Sequence, residues 1–163
     1  MAYRRRMDYD EQYETVWAEL DEIEPEDFVE RIDSIDAPPE IAAFERAAAR
    51  DSTGHSDLAV PLYREALAGG VVGLRRRRTV IQLASSLRNL GELDESLALL
   101  ESETDAGDDD LDVALAAFRA LTLASLGRDR EGLAHLLGAI APTLPRYQRS
   151  VANYARALVD PAG

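Results

Sequence analysis

Apolar side chains recur at helical intervals from the first residues of this chain. Tyr9, Tyr13, Val16, Trp17, Leu20 and Ile23 fall on one side of a helix starting near Asp8, with acidic residues over the rest. Pro25 restarts the chain, and Phe28, Val29, Ile32 and Ile35 form a shorter stripe that stops at Ala37, Pro38 and Pro39. At the other end Pro142 and Pro145 break the chain. Tyr147, Val151, Tyr154 and Leu158 then recur at intervals of four, three and four residues. The pattern predicts a docking pair of helices at the start and a capping helix at the end, its wet side carrying Arg149 and Arg156.

Between these ends Gly54, Gly91 and Gly127 stand 37 and 36 residues apart, each between two helix-like stretches. A period in this range marks stacked helical hairpins. Seven residues ahead of each glycine is Ala47, Ala84 or Ala120, small enough to let two helices approach. Five residues after each come Ala59, Ser96 and Gly132. Apolar positions follow at helical spacing: Tyr63 and Ala66, then Leu100, then Leu136 and Ala139. Ser56 predicts an N-cap before Asp57, Gly69 and Gly70 end the first hairpin, and Gly73 precedes the next helix. Asp108 to Asp110 predict caps for the third hairpin, where negative charge suits the helix dipole.

On Ala59, Tyr63 and Ala66 after Gly54, and on their echoes after Gly91 and Gly127, the middle of the chain resembles a three-repeat tetratricopeptide domain of the short bacterial kind. Ala43, Val80 and Ala116 stand where a tryptophan opens a repeat, and Arg46, Arg50 and Glu103 occupy positions normally apolar. The resemblance implies an all-α fold, a helical-hairpin repeat wound as an α-α superhelix, with N-terminal helices and a C-terminal capping helix. The expected organisation is a disordered N-terminus over 1–7 and a helical cap over 8–38. Three repeats then cover about 39–72, 73–107 and 108–141, and a capping helix with its tail covers 142–163.

The resemblance also implies that the first helix of each repeat lines a concave face that touches a bound peptide. In the central repeat, at roughly 100° per residue, Arg78, Gln82, Ser85 and Asn89 fall within an arc of about 60°. Val80, Leu83, Ala84, Leu87 and Leu90 gather opposite. The polar row suits the backbone or a carboxylate of an extended peptide, with Arg78 binding a carboxylate through two N–H groups; the plainer alternative is a solvated helix face. In the third repeat the same phase selects Ala114, Phe118, Leu121 and Ser125. Exposed Phe118 and Leu121 need a cover: the C-terminal helix, a partner's hydrophobic segment, or a second copy of the chain. In the first repeat the face holds Ile41, Glu45, Ala48 and Ser52.

The N-terminal helices are expected to cap the first repeat, with their acids neutralising Arg46 and Arg50; alternatively the Trp17 helix packs on another subunit. Tetratricopeptide domains that clamp chaperone C-termini use lysine and asparagine at groove positions held here by Phe44 and Ala48, so that specific function is set aside.

Composition narrows the chemistry. The net charge is -13 and all 18 basic residues are arginine, a balance that repels polyanions and disfavours nucleic acid. Cysteine is absent, which removes disulfides and thiolate chemistry. No segment approaches the roughly 20 apolar residues that span a bilayer, and Arg4 to Arg6 run into Asp8 without the apolar stretch of a signal peptide. A cytoplasmic protein is expected, with no membrane partner.

The run Arg75 to Arg78 reads as a solvated turn paired with acids such as Asp57 or Glu65. Asp108, Asp110 and Asp112 open like a calcium loop, but Val113 and Arg119 stand where glycine and glutamate are required. His55 and His135 share no motif and read as surface residues. Gly69, Gly70 and Gly73 lack the ending of a phosphate loop. No enzyme, metal or cofactor is expected.

The resulting expectation is a scaffold that holds a protein or peptide along Glu45, Arg78, Gln82, Ser85, Asn89, Phe118 and Leu121. The alternative is a homodimer formed through Trp17, Phe118 and Leu121, and a small-ligand binder is the more distant reading.

Overall fold

The computed structural model describes residues 2–103 and 110–160. Over them the chain is all-α: α1 (Ala2–Trp17), α2 (Pro25–Asp33), α3 (Pro39–Ser52), α4 (Ser56–Ala68), α5 (Gly73–Asn89), α6 (Leu93–Ser102), α7 (Asp112–Ser125), α8 (Asp129–Ile140) and α9 (Gln148–Val159). A short 3-10 turn covers Ala141–Thr143, and no strand occurs among the described residues. α1 begins at Ala2, ahead of the start near Asp8 that the apolar pattern predicts. Two compact units divide the chain, Met1–Ser86 and Leu87–Gly163.

The periodic glycines are three copies of one helix stop. Gly54, Gly91 and Gly127 follow α3, α5 and α7 with φ of 87°, 87° and 74°, left-handed values that penalise any residue with a Cβ. In the first, the Gly54 N–H reaches Asp51 O at 3.0 Å and the His55 N–H reaches Arg50 O at 2.8 Å. Gly91 with Glu92, and Gly127 with Arg128, repeat the pair of bonds at matching offsets, so the last carbonyls of each helix are satisfied as the chain reverses.

Ser56 departs from its expected role. It is the first residue of α4, His55 holds the N-cap position, and no side-chain cap bond forms there. The Ser56 hydroxyl donates to Asp51 Oδ1 at 3.0 Å, a charged acceptor at the end of α3 that outcompetes the local backbone. Asp108 and Asp109 lie outside the described residues; α7 opens at Asp112 behind Leu111.

In the first unit a core forms from Tyr9, Tyr13 and Val16 of α1, Phe28 and Ile32 of α2, Ile35, and Ile41 and Ala49 of α3. Phe28 and Ile32 are wholly buried, each stabilising by about 1.5–3 kcal/mol relative to exposure. Arg46 and Arg50 sit at positions expected to be apolar, and the acidic end of α2 accommodates them. Arg50 holds both Asp33 carboxylate oxygens at 2.9 and 2.7 Å, and Arg46 donates to the Asp33 carbonyl at 3.1 Å. α3 and α4 meet through Ala47, Ala59 and Ala66, all fully buried.

In the second unit α6, α7, α8 and α9 pack in chain order. The Ser96 and Thr122 hydroxyls bond at 3.1 Å in the interior between α6 and α7. α9 docks on α8 through buried Ala155 and half-buried Val151, Ala152 and Leu158, and Arg130 Nε donates to the Leu158 carbonyl at 3.3 Å. Tyr147 and Tyr154, expected in the docking stripe, are 74% and 71% exposed. Tyr147 is the N-cap with a left-handed φ of 69°, which lifts it off the helical register. Tyr154 lies beyond the edge of the face, because small Ala155 is what lets α9 close on α8.

Candidate partner-binding surface

Four consecutive arginines at the start of α5 point in four directions, since successive helical residues are about 100° apart. Arg75 turns toward the N-terminal cap. It is bonded to Asp10 Oδ1 at 2.6 Å and approaches Glu45 Oε1 at 3.5 Å, in place of the expected pairing with Asp57 or Glu65. Arg77 is buried, and Arg76 is exposed. Arg78 lies over the ring of Phe44, its guanidinium carbon 5.1 Å from the centroid, while its side chain stays exposed.

Phe44 is itself wholly buried and tilts against Tyr63, with centroids 6.4 Å apart. The Tyr63 phenol is pushed well above its ordinary value, first by burial and then by the nearby Asp51 charge. Asp51 Oδ1 accepts the Ser86 hydroxyl at 2.9 Å as well as Ser56, which ties α3, α4 and α5 through one carboxylate. The platform beneath Arg78 is therefore a buried aromatic pair, beside a carboxylate that ties three helices.

One turn beyond Arg78, Gln82 is half-buried, and its Oε1 accepts no hydrogen bond among the described residues. Ser85 is half-buried on the same helix. Asn89 closes the row at the end of α5, exposed, with its Oδ1 accepting from Arg88 at 3.2 Å. Arg78 and Ser85 thus offer a planar cation and a hydroxyl on one side of α5, while the Gln82 Oε1 between them is buried. A guanidinium over an aromatic face keeps its N–H edges for a carboxylate while the ring satisfies its face.

Glu45, expected on the same partner face, is 3% exposed. Its Oε2 accepts the Trp17 indole N–H at 2.9 Å, and Arg75 flanks its other oxygen. The inner face of α3 is consequently covered from within the chain. Trp17, in the helix expected to cap the first repeat or alternatively to meet another subunit, is half-buried and sits edge-on to Phe28 with centroids 5.0 Å apart. Tyr13 lies in the same region, its phenol raised to about 12 by burial foremost and by Glu45 next.

Phe118 and Leu121 belong to the second unit. Leu121 is 47% exposed, Val113 on the same helix 37%, and Phe118 is half-buried. α9 packs on α8. His135, expected at the surface, is half-buried, and burial followed by the Arg119 charge pulls its imidazole below the usual value.

Phe44 and Arg75 are the contributors that sequence reasoning misses. Phe44 carries a legible signal, one aromatic on the small-residue face of α3. Arg75 carries none, since its partner Asp10 is 65 residues away. Among the described residues no cluster of histidine and carboxylates is placed to hold a metal ion, and no helix is long and apolar enough to cross a membrane.

A family model described as Tetratrico peptide repeat matches residues 40–158, running past the third hairpin into α9. No curated protein and no solved structure matches the chain.

Proposed function

The chain belongs to the tetratricopeptide-repeat family, and from that premise we propose that it is a non-enzymatic interaction scaffold whose α5 face grips an acid-bearing peptide. The observation that carries the reading is Arg78 over Phe44. An arginine at that position needs no aromatic platform to remain solvated. A platform makes sense where its guanidinium must be held in one place to meet a planar anion. Ser85, two turns beyond Arg78, donates to a carbonyl of the bound segment, a spacing that favours an extended chain over a compact ligand. Asn89 extends the same row at its C-terminal end.

An array of synthetic peptides with carboxylates at varied positions, each paired with its amide counterpart, tests this. Capture that favours the acids by about ten-fold, and that a folded Arg78→Gln variant no longer discriminates, supports it; this is the scale of a charge-assisted bidentate contact. Indifference to the carboxylate in the unaltered protein removes the reading.

Exposed Val113 and Leu121 favour a second, compatible reading, self-association through α7. Light scattering over a wide concentration range decides it. A dimer that Leu121→Asp dissociates without unfolding supports the contact, and a concentration-independent monomer rules it out.

A further inference from the structure

The two N-terminal helices are attached to the first unit by different chemistry. α2 is held by fully buried Phe28 and Ile32 and by the two-point Asp33–Arg50 pair. α1 brings three buried side chains, Tyr9, Tyr13 and Val16, and two polar handles, Asp10 on Arg75 and Trp17 on Glu45. The Tyr13 hydroxyl is buried without a hydrogen-bond partner among the described residues, a defect that works against docking. On its other side α1 borders an open hollow of about 420 Å³, lined by Gln12, Thr15 and Val16 from α1 and Arg31 and Ile35 from the α2 side. The connection between α1 and α2, residues 18–24, carries four acids, Glu19, Asp21, Glu22 and Glu24.

The surface beneath α1 is equally telling. It presents Glu45 and Arg75, a carboxylate and a guanidinium, where a permanently covered helix face is served as well or better by apolar residues. Charges there specify which helix docks, and in what register. The docked helix shows the chemistry accepted: aromatic or aliphatic anchors at Tyr9, Tyr13 and Val16, an acid at Asp10 for Arg75, and an indole N–H at Trp17 for Glu45.

We infer that the inner face of α3, with Arg75, is an exchangeable docking surface for the α1 segment, whose own copy is the resident occupant and is displaceable by the α1 segment of a second copy of the chain. Release costs the burial of Tyr9, Tyr13 and Val16 and the Trp17 contact with Phe28, regains hydration for the Tyr13 hydroxyl and Glu45, and leaves α2 tied to α3 through the Asp33–Arg50 pair.

The test uses the whole chain and a fluorescein-labelled synthetic peptide of residues 2–20. In the unaltered protein, native-state hydrogen exchange is expected to show α1 amides opening at least ten-fold faster than those of α3 and α4. A full-length Asp10→Arg, Tyr13→Ser variant, its own α1 disfavoured, is expected to bind the peptide at least ten-fold more tightly than wild type, and adding Arg75→Ala is expected to abolish that gain. Arg149→Gln, an exposed arginine on α9 outside both surfaces, is the control for loss of a surface charge and leaves peptide binding within two-fold. Exchange of α1 in step with α3 and α4 overturns the inference, and so does a folded variant that binds the peptide no better than wild type.

Discussion

Gly132 in α8 stands so close to Ala120 in α7 that a β-carbon on it would lie 2.8 Å from the Ala120 carbonyl oxygen. Backbone is what it would strike, and backbone at a helix crossing cannot swing aside. Gly132→Ala is therefore expected to destabilise by about 1–3 kcal/mol, overpacking outweighing the better helix propensity of alanine. Gly138, in the same helix, has open space where a β-carbon would go, with nothing within 4 Å. Gly138→Ala is expected to stabilise by about 0.5–1 kcal/mol. Denaturant melts of the two variants should move in opposite directions, and a shift of the same sign in both contradicts the close approach.

Phe28 joins α2 to the edge of Trp17 and is wholly buried. Phe28→Ala should cost about 3–5 kcal/mol, the range for removing a buried aromatic. Trp17 is the chain's one tryptophan, so its emission reports the same event; a red shift is expected in the folded variant. Unchanged stability with unchanged emission would mean that the cap is not packed as described.

The imidazole of His135 is held below its ordinary value by burial and then by Arg119. The folded protein therefore binds that proton less readily than the unfolded chain, which takes it up as pH falls through about 6.5. Stability from this source is present above that pH and is lost on acidification toward the folded-state value. Thermal melts between about pH 7 and 5.5 should slope less in a His135→Gln variant than in wild type. Parallel slopes would show that the site does not contribute.

Much of this architecture is legible in the sequence because it is local. A left-handed helix stop is fixed by the residues immediately around it, and so the spacing of Gly54, Gly91 and Gly127 leads directly to the three stops that end α3, α5 and α7. Small residues at Ala47, Ala59 and Gly132 announce the helix crossings for the same reason. Pairing across the fold is not legible. Glu45 occupies a position that periodicity assigns to an open face, yet Trp17, 28 residues earlier, covers it. The docking face of α9 escapes the pattern for a related reason: periodicity ranks Tyr147 and Tyr154 as anchors by their size, while the crossing selects Ala155 by its smallness.

The most direct test of the central claim is a double-mutant cycle on the grip of Arg78. Binding of the best acidic peptide and of its amide counterpart is measured by calorimetry against wild type and Arg78→Gln. A coupling of about 1.5–3 kcal/mol between the arginine and the carboxylate is expected for a charge-assisted contact at that site. A coupling of zero in a folded variant, with both peptides weakened equally or not at all, would contradict it.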